Sequence, residues 1–369
     1  MKEKKPFDFW LFMTVLIMLS LGLIMVFSAS APTAEKEFHD VYYYIKSQLM
    51  YALIGVVAML FAANYDYRKF GPKTVTALMG GSLLLLFLVL VPGIGREING
   101  SWRWIYIGPL HFQPSEIAKL GLILFLSYSL SKRKKGMDSF FNDFAPYLLL
   151  IGLTAGLLML EPHLSTTIIV CSLSFIVLFV GGAKIRHFLI IGLPAVAGLS
   201  VVIMFTDYMT SRIRSFIDPW LDLHGEGWQT VQSLYAIGSG GIFGRGLGQS
   251  MEKFLYIPEP QNDYIFAILA EELGFIGVLA VLLLFLIFIW RGIKIAMNAP
   301  DVFGSLVATG ITALIAVQSL FNVAVVSKAV PPTGVSLPFF SSGGSSLVLF
   351  LLEVGILLNI SRYSSYERI

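Results

Sequence analysis

Apolar runs long enough to cross a bilayer recur along this whole chain, and placing them settles most of what it can fold into. A helix rises about 1.5 Å per residue, so about 20 apolar residues cover roughly 30 Å of hydrocarbon. Runs near 9–29, 47–64, 74–92, 113–131, 144–160, 164–181, 188–205, 263–290, 304–326 and 345–361 come close to that length. Hydrocarbon offers no water to backbone N–H and C=O groups, so each run is expected as a helix. The expected fold is an all-α polytopic membrane protein of about ten transmembrane helices, forming a single integral membrane domain over 1–369. Of the 369 residues, 56% are hydrophobic and 13% charged. A soluble domain carries about 25% charged residues, so no sizeable soluble domain is expected.

Met1 to Lys5, the apolar run after it and Ser28–Ala31 mimic a signal peptide. The run to Phe27 exceeds the roughly 7–15 residues of a secretory apolar region, and the reading here is an uncleaved first span. The lone Cys171 excludes an internal disulfide and a thiolate metal cluster. No His pair has zinc-binding spacing, so a transition-metal site is not expected.

Sixteen of the 26 basic residues fall in connectors on the side of the two termini, among them Arg68, Lys69, Lys73, Lys132, Arg133, Lys134 and Lys135. Nine lie on the other side and Lys119 lies inside a span. Short cytoplasmic connectors concentrate Lys and Arg, so both termini are expected in the cytoplasm. The longer segments then lie outside: Gly93–Phe112 with Trp102, Trp104 and Tyr106; a large loop near 206–262 between spans seven and eight; and the Pro, Gly and Ser-rich Ser327–Ser345. The aromatic set suits the headgroup level.

Charge inside a span costs roughly 2.5–3.5 kcal/mol per residue on insertion scales, which turns attention to Pro258–Gly274, where Asp263, Glu271 and Glu272 sit at or within the eighth span. Asp263 is either an acid satisfying the helix N-terminus or a general base at the outer face, and spacing leaves both open. Glu271 and Glu272 point about 100° apart, and the plainer account is burial with a Lys or Arg partner. Glu116 and Lys119, at i and i+3 in Gln113-Pro-Ser-Glu-Ile-Ala-Lys119, form either a paired polar plug or a substrate-facing pair. Arg212, Arg214, Arg245 and Lys253 in the large loop are either solvated or available to a pyrophosphate. Gly238–Gly248 lacks the Gly-Lys-Ser/Thr ending of a phosphate loop and is expected as flexible backbone beside a lipid headgroup.

Taken together, Pro258–Gly274, Pro331–Ser346 preceded by Asn322, Asn99-Gly-Ser-Trp-Arg-Trp-Ile105, Gln113-Pro-Ser-Glu116, Gly246–Ser250 and Leu358–Tyr363 resemble the SEDS family of bacterial shape, elongation, division and sporulation proteins. The likeness covers essentially the whole chain and is nearest to the sporulation and division members. It implies a peptidoglycan glycosyltransferase that polymerises lipid II outside the cytoplasmic membrane beside a class B penicillin-binding protein. The basic residues would meet the lipid-linked pyrophosphate either directly or with a divalent cation (Mg or Mn). The family's essential acid falls on Asp263 and its important tryptophan on Trp104. Arg103, Ser341 and Ser342, within the matching motifs, join Glu116, Lys119 and the four basic loop residues as candidate substrate-binding groups. Two departures stand out: Asn262-Asp263-Tyr264 replaces the usual Thr-Asp-Phe, and Glu161-Pro-His-Leu-Ser-Thr166 replaces the usual Gln-Pro-Asp-Leu-Gly-Thr. The second puts a carried-over role for His163 in doubt.

A lipid-linked sugar pyrophosphate already has a good leaving group, so a single base suffices where glycoside hydrolases need a carboxylate pair. Two other classes compete: a lipid II flippase, with the embedded Glu116, Lys119, Glu271 and Glu272 as a headgroup path, and a non-catalytic scaffold for a synthase. No internal repeat supports the first, and a catalytic acid is superfluous to the second.

Overall fold

Helices dominate the computed structural model, which describes residues 5–98, 101–107, 110–133, 136–192, 194, 198, 207–222, 227–254 and 256–364. In chain order they are α1 (Phe9–Phe38), α2 (Tyr43–Asn64), α3 (Pro72–Leu88), α4 (Pro114–Ser131), α5 (Ala145–Leu160), α6 (Leu164–Val180), α7 (Asp207–Ile217), α8 (Trp228–Ser239), α9 (Ile265–Met297), α10 (Val302–Val326) and α11 (Gly344–Ser361). Among the described residues, six helices are long and apolar enough to cross a membrane, and Pro72–Leu88 and Leu164–Val180 are shorter apolar helices. Of the expected span 188–205, residues 185–192 are helical and most of the rest lies outside the described residues.

Local chemistry sets several ends. The Asp8 carboxylate accepts from the Leu11 N–H at 2.9 Å and caps α1, while His39 closes it in the left-handed region. Asp8 also pairs with Arg291 of α9 at 2.5 Å, and its N–H donates to Ser361 of α11 at 2.9 Å. One buried acid therefore ties three helices together at one end of the bundle. α2 and α11 pack closely, and a Cβ added at Gly355 would come within 2.4 Å of the Met59 carbonyl oxygen. Small residues of this kind let helices approach in a membrane, where packing rather than hydrophobic exclusion drives association.

Gly93–Phe112 is not simply an aromatic stretch at the interface. It contains an antiparallel sheet in the order β1 (Gly95–Ile98), β2 (Ser101–Ile107), β3 (Leu110–Phe112), with Ile105 opposite Phe112 and a bulge at Arg96/Glu97. Nor is the segment near 206–262 an open loop, since α7 and α8 lie within it.

The helix α9 is broken. Gly274 has φ 66° and ψ −167°, and residues Ile265–Glu272 before it are all buried, whereas Phe275 and Ile276 after it are exposed to the surroundings of the bundle. Gly238–Gly248 repairs the break. The N–H groups of Arg245 and Gly246 donate to the carbonyls of Glu271 and Glu272 at 2.9 and 3.0 Å, and the N–H groups of Phe275 and Ile276 donate to Gly241 and Ile242 at 2.9 and 3.2 Å. Four groups orphaned by the break are thereby satisfied. The glycine run is a docking strip against backbone, which corrects the expectation of a flexible segment beside a headgroup. Gly244 has φ +78°, and its added Cβ would sit 2.2 Å from the Glu272 carbonyl oxygen. Gly244→Ala is therefore expected to lower stability by about 1–3 kcal/mol, read as the thermal unfolding midpoint in detergent. Gly238→Ala, whose Cβ meets nothing within 4 Å, should stay within about 0.5 kcal/mol.

Candidate active site

The ends of several elements meet around Asp263. They are the start of α4, the turn joining α5 to α6, the residues leading into α9, the second half of α10, the 331–346 loop and strand β2. Helix α9 begins at Ile265 with Tyr264 as its cap residue, so Asp263 stands just ahead of the helix and does not act as its side-chain cap. Its position is fixed through the backbone. The Asn322 amide donates to the Asp263 carbonyl at 2.7 Å and to the Val335 carbonyl at 2.6 Å, and the Ser342 N–H donates to the Gln261 carbonyl at 2.8 Å. These bonds join the α9 entry to the Pro, Gly and Ser-rich loop and leave the Asp263 carboxylate free to face open space.

Two cavities meet at that carboxylate. One, of about 260 Å³, is lined by Gln113, Glu116, Lys119, His163, Gln318 and Ser342 among others. The other, of about 320 Å³, is lined by Ser101, Ser165, Arg212, Gln229 and Pro332 among others. Arg103, Trp104, Glu259, Asp263 and Gly334 belong to both. Burial pushes the Asp263 carboxyl up to about 6; nearby Glu259 adds to the rise, while its own backbone N–H and Arg212 oppose it.

Glu116 and Lys119 pair at 2.7 Å, and Lys119 also donates to Gln318 at 3.0 Å. The Gln318 amide continues to the Ser336 carbonyl at 3.1 Å. It is an internal ion pair, as the polar-plug reading expects, and it also lines the first cavity. Arg103 donates to the backbone carbonyls of Glu161 (at 3.3 Å) and Pro162, which holds β2 against the α5–α6 turn. Arg212 donates to the Pro332 carbonyl at 2.8 Å. His163 is buried, with Nε2 2.8 Å from the Thr166 hydroxyl and Nδ1 3.5 Å from the Gln113 amide. Burial, helped by the charges of Arg103 and Lys119, lowers its pKa well below the usual value and keeps the imidazole neutral. Burial pushes Glu161 up to about 8, with Arg103 opposing, so this acid is mostly protonated at pH 7.

Other expected site residues lie elsewhere. Lys253 is buried in a pair with Glu272 at 2.8 Å and donates to the Ser28 hydroxyl at 3.2 Å. Arg245 sits 3.4 Å from Glu271, whose carboxylate also accepts from the Ser250 hydroxyl at 2.5 Å and the Met251 N–H at 2.9 Å. Both cations answer the acids of α9, and neither lines the cavities at Asp263. Arg214 lies on the exposed side of α7 and lines neither cavity. Ser341 is buried, and its hydroxyl accepts from the Leu337 N–H at 2.7 Å to brace the loop. Among the described residues no group of three or more His, Cys, Asp and Glu is placed to hold a metal ion. Gln113, Thr166 and Gln318 were missed as lining residues. Gln318, a buried amide within an apolar span, is the kind of signal that marks them.

A family model described as cell cycle protein (FTSW_RODA_SPOVE) matches residues 9–366. The chain is similar to stage V sporulation protein E of Bacillus subtilis (strain 168), at 47% identity over 99% of each chain. It is similar to a probable peptidoglycan glycosyltransferase FtsW of Geobacter sp. (strain M18), at 39% identity over 98% of each. Its fold is similar to a chain in a solved structure described as structural coordination of polymerization and crosslinking by a peptidoglycan synthase complex. There the TM-score is 0.80 and identity 32%, covering 97% of this chain and 99% of the other.

Proposed function

The chain belongs to the FtsW/RodA/SpoVE family of cell cycle proteins, and on that premise we propose that it is a peptidoglycan glycosyltransferase that polymerises lipid II with Asp263 as general base. The observation that carries this reading is the position of Asp263 on the ridge shared by two polar cavities, with its carboxyl raised to about 6. A base near that value is ionised at pH 7 yet retains proton affinity, which suits removal of a hydroxyl proton.

In the proposed step the acceptor 4-hydroxyl gives its proton to Asp263 as its oxygen bonds the donor anomeric carbon. The bond from that carbon to the pyrophosphate oxygen breaks, the configuration inverts, and undecaprenyl pyrophosphate leaves. Arg103 and Arg212 line the second cavity and supply positive charge for the departing pyrophosphate. Trp104 spans both cavities, where its ring offers a face for sugar packing, and Ser342 with the Glu116–Lys119 pair lines the first. Asn322 acts as a positioning residue through the Asp263 backbone.

The recurring apolar runs support a single ten-span domain, and the basic-residue bias supports both termini in the cytoplasm with the site on the outer face of the cytoplasmic membrane. Likeness to a chain of a peptidoglycan synthase complex supports a class B penicillin-binding protein as partner. The role falls within division, elongation or spore cortex synthesis.

Purified protein, with and without that partner, in vesicles carrying labelled lipid II tests the reading. The expected result is a glycan ladder that muramidase digests. Headgroup translocation without a ladder would instead identify a flippase, and neither product in the presence of the partner would identify a scaffold.

A further inference from the structure

The far end of the bundle from Asp263 carries a second polar cleft that the polymerisation chemistry does not use. It has a volume of about 340 Å³ and lies where the end of α4 meets the start of α10, lined by Arg68, Ser131, Lys132 and Asp301. An apolar trough of about 320 Å³ adjoins it. Phe61 of α2, Tyr65 just after that helix and Leu78 of α3 line the trough, and Leu120 and Leu124 of α4 line it as well. Phe70 lines both spaces, so the polar cleft and the trough lie next to each other at that ring.

We propose that these adjoining cavities together bind an anionic glycerophospholipid, with the phosphate in the cleft and an acyl chain in the trough. The charge arrangement selects the sign. The single lining acid, Asp301, is already committed: one oxygen accepts from the Tyr67 hydroxyl at 2.5 Å and the other from the Gly304 N–H at 2.7 Å. Arg68 stands 3.8 Å from Asp301, beyond hydrogen-bond reach, with its guanidinium held 4.0 Å above the Tyr363 ring. Lys132 rests over Tyr128 at 5.3 Å, and among the described residues it has no carboxylate partner. Exposed Lys69 and Lys73 flank the same end, as does Asp66, whose carboxylate accepts from the Arg68 N–H. The four cations Arg68, Lys69, Lys73 and Lys132 thus face the two acids Asp66 and Asp301, and the cleft presents net positive charge. Basic pockets between helices at headgroup level have the chemistry to hold lipid phosphate. The trough walls and floor carry apolar and aromatic side chains, a surface for a hydrocarbon chain and not for a sugar. Only the assignment of this lipid to the cytoplasmic leaflet rests on the proposed orientation.

The test is lipid retention by the purified full chain in native mass spectrometry, with phosphatidylglycerol or phosphatidylcholine added, so that it reads independently of polymerisation. Wild type is expected to retain phosphatidylglycerol in preference to phosphatidylcholine. Lys132→Gln should weaken that retention about fivefold, and Leu124→Trp, which fills the trough while keeping the charges, should weaken it as well. Lys184→Gln, on the same side but paired with Asp138 at 2.5 Å, should match wild type. Equal retention of the two lipids by wild type would overturn the proposal. So would phosphatidylglycerol retention unchanged in both Lys132→Gln and Leu124→Trp.

Discussion

Asp263→Asn should cut lipid II polymerisation by about 10²–10⁴-fold, the contribution typical of a positioned general base, while leaving the thermal unfolding midpoint near that of wild type. The substitution keeps side-chain size and shape and removes only the capacity to take a proton. The frame around it survives, because Asn322 holds residue 263 through its carbonyl and not its carboxylate. Any loss of rate in a folded Asp263→Asn protein is therefore chemical. Asn322→Ala provides the contrast. It leaves the part-buried carbonyl of Asp263 and the buried carbonyl of Val335 without this donor, so a smaller fall in rate with a measurable loss of stability is expected.

Lys253→Ala should produce the largest loss of stability among the single substitutions considered, about 3–5 kcal/mol. The Lys253 and Glu272 side chains are 4% and 0% exposed, so removing the cation strands a charge in the protein interior. The Ser28 hydroxyl, 2.7 Å from Glu272, is too weak a partner to replace it. Replacing both together, as Lys253→Met with Glu272→Leu, should recover most of the loss, because desolvation of a buried ion pair cancels much of its attraction. Unfolding midpoints of the two singles and the double read this directly. Lys253 as a pyrophosphate ligand predicts the opposite pattern: a raised KM for lipid II in a stable single variant.

The membrane class and most helix limits were legible because bilayer thickness converts directly into a count of apolar residues. The break in α9 was not, since a single Gly274 inside a span-length helical run does not by itself mark a break and only the docked glycine strip reveals it. The β1–β3 sheet did carry a signal, the alternation in Trp102-Arg-Trp-Ile-Tyr106, which was read as an interfacial aromatic set. Asp263 was singled out as an acid at a helix entrance, and its neighbours Glu116, Lys119, Arg103 and Trp104 came from the motifs. Arg245 and Lys253 were misplaced because a one-dimensional chain does not show that a loop cation folds back onto an acid about 20 residues later in the same chain. Glu271 and Glu272, given the plainer reading, are indeed buried with those cations as partners.

The pH–rate profile of polymerisation tests the role of Asp263 most directly. The base acts as its carboxylate, so kcat/KM should fall about tenfold per unit as pH drops below about 6, and level off above it. In the residual activity of Asp263→Asn that acidic limb should vanish. A wild-type rate that is flat from about pH 5 to 7, or an acidic limb that persists unchanged in Asp263→Asn, would contradict the account and place the base elsewhere.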